Sequence, residues 1–140
     1  MGSCCCSSIP ENYGFLYLEL DKLSAFPGEE IQGYIYLNLL KDFPGSNITL
    51  NLEGEEFCQW PTTMFTTSNP VKKNILSKNV QIYSFPEGIA KSGDYSFPIS
   101  FLLDNSLPAT YSFTHSNIKA SISYNIIGII IGNISYYFFL

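Results

Sequence analysis

The chain of 140 residues has the length of one domain, enough to bury a core and too short for two full domains. Apolar residues make up 46% of it, which excludes wholesale disorder, while charged residues reach only 14% against a usual ~25%. Seven cations, all lysine, face twelve acids, and the net charge of −5 excludes the basic footprint of a nucleic-acid binder. With no arginine, the forked recognition of phosphate or carboxylate is missing as well.

The chain opens Met1-Gly2-Ser3-Cys4-Cys5-Cys6-Ser7-Ser8. Its first ten residues lack the basic n-region and long apolar h-region of a secretory signal, so the cysteines are expected to stay reduced, in the cytosol. Removal of Met1 would present Gly2 to a myristoyl transferase, although Cys6 stands where the acylation pattern carries serine or threonine. Cysteines beside an acylated glycine are the usual targets of palmitoylation. One myristoyl chain holds a membrane only marginally, whereas two or more hold it stably. Gly2, Cys4, Cys5 and Cys6 are therefore the expected lipidation sites, on a flexible segment spanning 1–12.

Beyond it, runs of period 2 alternate with turns rich in proline and glycine, the pattern of β-strands. Aromatic residues, at 16%, favour strands too. Tyr13 to Leu20 is the first run. A turn at Ala25 to Glu30 leads into Ile31 to Leu40, with Ile31, Gly33, Ile35, Leu37 and Leu39 on one face and Tyr34, Tyr36 and Asn38 on the other. Pro44-Gly45 marks the next turn. Asn47 to Glu53 alternates cleanly, with Ile48, Leu50 and Leu52 inward and Asn47, Thr49, Asn51 and Glu53 outward. Gly54 permits a bend, after which Glu55 to Trp60 extends the strand. Pro61 to Asn79 is polar and reads as a long loop containing a short element at Ile75-Leu76. Val80 to Phe85 is a strand and Pro86 to Gly93 a turn. Tyr95 to Leu103 alternates with Pro98 outward, a position that marks an edge or bulge. Asn117 to Ile126 completes the set, with Ile118, Ala120, Ile122, Tyr124 and Ile126 toward the core. No stretch shows a sustained helical period. The expected fold is all-β, an immunoglobulin-like antiparallel β-sandwich over 13–131.

Ser121 to Leu140 carries no charge. Twenty helical residues would span about 30 Å, one hydrocarbon core, so a tail anchor is one reading of this stretch. The other is a strand, favoured by the alternation through Ile126 and by Ser121, Ser123 and Asn125. The last residues, 132–140, form an apolar tail that either reading must account for.

Several motifs together resemble the arrestin family. Pro27-Gly28-Glu29-Glu30-Ile31-Gln32-Gly33 is similar to the PGE-x-I-x-G signature that opens the arrestin N-terminal domain. Ile48-Thr49-Leu50-Asn51-Leu52-Glu53-Gly54 resembles the strand that follows, with Trp60 downstream. Gly93-Asp94-Tyr95-Ser96-Phe97-Pro98-Ile99-Ser100-Phe101-Leu102-Leu103 is similar to G-x-y-x-F-P-F-x-F-x-L. Leu107-Pro108-Ala109-Thr110-Tyr111 resembles L-P-x-S-f, and Ile122-Ser123-Tyr124 resembles the I-x-Y after it. The resemblance runs in order through 13–130 and implies the fold of an arrestin N-terminal domain. Without arginine, the buried polar core of visual arrestins cannot be built in the same way, and the chain looks more like the α-arrestin and trafficking-adaptor branch. It carries no PPxY motif, and it offers one sandwich where full arrestins have two.

An active site should combine a nucleophile, a base and a stabiliser, or a metal cluster. His115 is expected in a solvated loop and Cys58 in the core beside Phe57 and Trp60. Glu53, Glu55 and Glu56 read as an acidic edge, and Lys72 and Lys73 as a solvated loop pair. Three adjacent cysteines and one distant one do not offer spaced metal ligands. No catalytic residue, cofactor or metal is therefore expected, and no enzymatic activity. The resemblance implies a membrane-associated, cytoplasmic adaptor at the plasma membrane or endosomes, binding cytoplasmic segments of membrane proteins for sorting or internalisation. An extended peptide can add to a sheet edge by main-chain hydrogen bonds, and Gly14 to Leu20 is the expected receiving edge. Two alternatives stand beside this: a half-arrestin fragment lacking its second domain, and a tail-anchored membrane protein.

Overall fold

The structure, a computed structural model, describes residues 2–4, 12–64, 66–132 and 136–139. In chain order the strands are β1 (Gly2–Cys4), β2 (Gly14–Leu20), β3 (Glu30–Leu39), β4 (Gly45–Gln59), β5 (Val71–Ser84), β6 (Gly93–Leu102), β7 (Tyr111–His115), β8 (Ile118–Gly132) and β9 (Tyr136–Phe139). They form two antiparallel sheets. The first runs β1-β2-β3-β6, and the second β5-β4-β8-β7 with β9 on the same side of β8 as β7. The only helical turn among the described residues is a 3-10 turn at Pro86–Gly88. The fold is the all-β antiparallel sandwich that the alternating runs imply.

The core lies where the inner faces of the two sheets overlap. The first sheet contributes Leu16, Leu18, Ile35, Leu37, Phe97 and Ile99, and the second Ile48, Leu50, Leu52 and Ile130, all buried. Each buried leucine or isoleucine contributes roughly 1.5–3 kcal/mol over an exposed one. One side of the sandwich is closed by rings: Tyr83 and Phe85, at and after the end of β5, pack on Tyr95 and Phe97 of β6 with centroids 4.8–6.2 Å apart. The crossover from β3 to β4 is tied down at Phe43, which exchanges two main-chain hydrogen bonds with Ala90 and meets the Tyr13 ring edge-on at 5.3 Å. Asp42 fixes the same corner by accepting from the Ser92 amide and from Lys91.

Gly28 and Gly33 are among the glycines that the backbone path needs. Gly28 adopts a positive φ of 84° in the turn before β3. At Gly33 the neighbouring strand comes so close that a Cβ would lie 2.1 Å from the Glu19 carbonyl oxygen.

The structure departs from the sequence reading in three places. The polar stretch read as a loop through Asn79 is strand from Val71 onward, so the connection after β4 is shorter and Lys72 and Lys73 sit on β5. The alternation there is hidden by register shifts opposite Ile48/Thr49 and Gly54/Glu55, where β5 carries an extra residue each time. A bulge inverts the phase of a strand, and consecutive apolar residues such as Ile75-Leu76 result. The expected loop around His115 is instead a hairpin: Ser116 and Asn117 have φ of 45° and 68°, the two positive values that a tight two-residue turn requires. In the uncharged stretch the structure has the strand that the alternation favours: β8 continues to Gly132, and β9 pairs back onto Ile127–Ile130, so both described parts of it are strand. No helix among the described residues is long and apolar enough to cross a membrane. The third departure is Thr49, expected to face solvent but only 5% exposed, with Ile127 and Ile129 also buried on that outer face.

The Thr49 Oγ1 has no hydrogen-bond partner among the described residues. An unpartnered buried hydroxyl costs about 1–3 kcal/mol. Thr49→Val, which replaces it with a methyl of similar shape, should leave the protein as stable as wild type or more so in urea denaturation. Leu50→Ala on the inner face should lose roughly 2–5 kcal/mol in the same measurement. Gly33→Ala should lower the melting temperature, because β2 and β3 must separate to admit the new carbon; an unchanged value would mean that the approach of the two strands is looser than described.

Candidate functional site

The titratable and nucleophilic residues do not converge. His115 ends β7 and is exposed, with the Phe113 ring 6.4 Å away. Cys58 is half-buried near the end of β4. Adjacent residues of a strand point to opposite faces, so Glu55 and Glu56 diverge, and Glu55 pairs with Lys72 at 3.1 Å. Among the described residues no group of three His, Cys, Asp or Glu could hold a metal ion. A hollow between Pro61–Met64 and the Ser116–Asn117 turn has no ionisable side chain in its lining among the described residues.

What the fold does assemble is a surface. The outer face of the first sheet is built from every second residue of β2, β3 and β6. The register Tyr17↔Tyr36 brings rings from two strands together. Phe15 stacks on Tyr17 with centroids 6.1 Å apart, Tyr17 on Tyr36 at 4.7 Å and Tyr36 on Tyr34 at 5.8 Å, a continuous run of four rings. Phe15 is 50% exposed and Tyr34 47%. Beside the rings stand Glu19, Glu30 and Asp94, and β2, β3 and β6 contain no lysine. Glu30 accepts hydrogen bonds from Ser100 and Gln32, and Asp94 accepts one from Asn38. At one end a shallow cleft of about 260 Å³ opens between Glu19, Asp21, Tyr34 and Tyr36.

Electrostatics follow from these contacts. The Ser100 and Gln32 hydrogen bonds hold the Glu30 carboxyl below its ordinary range. In the turn before β3, Glu29 is held down first by the Lys22 ammonium, 2.9 Å away, and then by the Phe26 amide. The Tyr36 hydroxyl is raised, first by desolvation among its neighbours and then by the Glu19 carboxylate.

The edges of the first sheet complete the surface. β1 pairs with the last three residues of β2, Gly2 with Leu20, Ser3 with Glu19 and Cys4 with Leu18. An open strand edge offers unpaired N–H and C=O groups, and β1 satisfies part of them. The expected receiving edge, Gly14 to Leu20, is thus occupied at Leu18–Leu20, while Gly14–Tyr17 has no strand on that side among the described residues. Of the expected lipidation sites, Gly2 and Cys4 lie on β1; Cys5 and Cys6 lie outside the described residues, as does most of segment 1–12. On the far side of the sheet β6 has no further strand beside it among the described residues, and Pro98 removes one donor there. The aromatic run was half legible in the sequence, where Tyr34 and Tyr36 alternate outward. Their union with Phe15 and Tyr17 required the β2–β3 register.

No protein-family model matches the sequence, and no curated protein matches it either. Among solved structures the chain is similar to Spo0M, a sporulation control protein from Bacillus subtilis, with a TM-score of 0.64 at 18% identity. The match covers 89% of this chain and 46% of that one, so the chain spans under half the length of the protein it resembles. Fold and comparison together define an arrestin-like β-sandwich.

The depressed Glu29 gives a pH signature. A carboxylate whose folded pKa lies below its unfolded value, about 4.3, contributes stability that is present above that value and lost as pH falls through the folded one. Glu29→Gln should therefore be less stable than wild type at pH 7, and the two should converge as pH falls through the depressed folded value in parallel denaturant titrations.

Proposed function

We propose that this arrestin-like domain is a non-enzymatic adaptor of the trafficking type, held at the cytoplasmic face of the plasma membrane or endosomes by acyl chains on Gly2, Cys4, Cys5 and Cys6. It binds cytoplasmic segments of membrane proteins for sorting or internalisation. The observation that carries the reading is the position of β1: the acylation-type amino terminus runs along the edge of the first sheet, beside the exposed aromatic face. A chain anchored there would hold that face close to the segments that emerge from the bilayer. The open stretch of β2 and the β6 edge offer main-chain groups for an added strand. The motif resemblance in 13–130 points to the α-arrestin and adaptor branch, and no cofactor is required.

Acyl chains must provide the attachment, because a net charge of −5 is repelled by anionic lipid. Fractionation of wild type, Gly2→Ala and the triple variant Cys4→Ser, Cys5→Ser, Cys6→Ser in the same cells tests this. Wild type should pellet with membranes, Gly2→Ala should be soluble, and the triple variant should wash off with buffer, since one chain binds with only K ≈ 10⁴ M⁻¹. Equal pelleting of all three would refute the anchor.

A further inference from the structure

We propose that the outer face of the first sheet is a docking platform for an extended, arginine-rich peptide, with the cleft between Glu19, Asp21, Tyr34 and Tyr36 taking one guanidinium. The proposal deepens the adaptor reading by naming the chemistry of the bound segment, and rests on it only for the location of that segment. Three observations carry it. The first is the run of four stacked rings, open to solvent at Phe15 and Tyr34. Cross-strand aromatic pairs stabilise a sheet, but that role does not call for half-exposed rings at both ends of a continuous row. An aromatic face attracts a cation placed over it, and a guanidinium also stacks flat upon it.

The second observation is charge. The three strands of this face carry Glu19, Glu30 and Asp94 and no lysine, and the cleft adds Asp21. Glu30 and Asp94 are engaged with Ser100, Gln32 and Asn38. Asp21 accepts from the Gln32 amide through Oδ1, which leaves its second oxygen for a ligand. Acids beside the rings repel anionic lipid and nucleic acid and favour a cationic partner. The third observation is spacing. Along each strand the rings recur at 6.1 Å and 5.8 Å. Alternate side chains of an extended peptide recur at about 6.6 Å, close to that repeat. A segment with arginine at every second position can therefore set successive guanidinium groups over successive rings, with one reaching the two carboxylates of the cleft.

The test uses the full chain, purified without lipid, and a fluorescein-labelled twelve-residue peptide of alternating arginine and serine, read by anisotropy. Wild type should bind it, a lysine–serine peptide should bind more weakly, and a glutamate–serine peptide should not bind. Tyr34→Ala and Asp21→Lys, both at exposed positions, should each weaken binding of the arginine peptide about tenfold or more while the far-UV circular dichroism spectrum stays that of the folded wild type. Glu53→Gln on the second sheet makes a one-unit charge change elsewhere and should have no effect. Equal affinity of wild type, Tyr34→Ala and Asp21→Lys would overturn the platform, as would equal loss in Glu53→Gln, which would mean nonspecific charge attraction. Failure of wild type to bind, or preference for phosphatidylcholine vesicles over the arginine peptide, would overturn it as well. Loss of the membrane anchor in the fractionation experiment leaves this result intact, so the two readings fail separately.

Discussion

The structure depends on one mismatch: the three long strands of the second sheet outrun the main strands of the first. β4, β5 and β8 run 14–15 residues, whereas β2, β3 and β6 run 7–10. A sandwich core exists only where two inner faces overlap, because apolar side chains gain free energy only from surface removed from water. Ile48, Leu50 and Ile130 therefore share the core with Ile35 and Leu37, and Leu52 closes its end. Past that point the same strands continue with less cover. Ile118 on this extension of β8, and Tyr111 and Phe113 on β7 beside it, remain exposed.

That extension explains the composition of β5 and β8. A strand covered on one side must alternate, but a strand extending past its partner sheet need not, and it tolerates Lys72, Lys73, Asn74 and Lys78. Main-chain hydrogen bonds to β4 hold it in place instead. The two bulges place the extra residues Ile82 and Ile75 in β5, and Tyr83 and Phe85 beyond them pack on Phe97.

The same division separates charge. The lysines on strands lie on the second sheet, at Lys72, Lys73, Lys78 and Lys119, while the first sheet carries only acids. Its outer face is free to display Phe15, Tyr17, Tyr34 and Tyr36. β1 covers one end of the β2 edge, which makes the amino terminus part of the sheet and joins the proposed anchor to the proposed platform.

By itself the sequence determined the class of fold, the strands β3, the first half of β4 and β6, and the inward residues Ile35, Leu37, Ile48, Leu50, Phe97 and Ile99. Those elements are covered on one face, so burial imprinted a period of two on them. Only the tertiary structure decided the rest. The start of β5 was hidden by bulges and by exposure on both faces, and the hairpin at Ser116-Asn117 by backbone angles that no side-chain pattern announces. The burial of Thr49 depends on its neighbours Ile127 and Ile129, far along the chain. The aromatic platform is a product of register: Tyr17 and Tyr36 are neighbours because β2 and β3 align at that pair, and inter-strand hydrogen bonding, which sets the alignment, leaves no local mark in either strand.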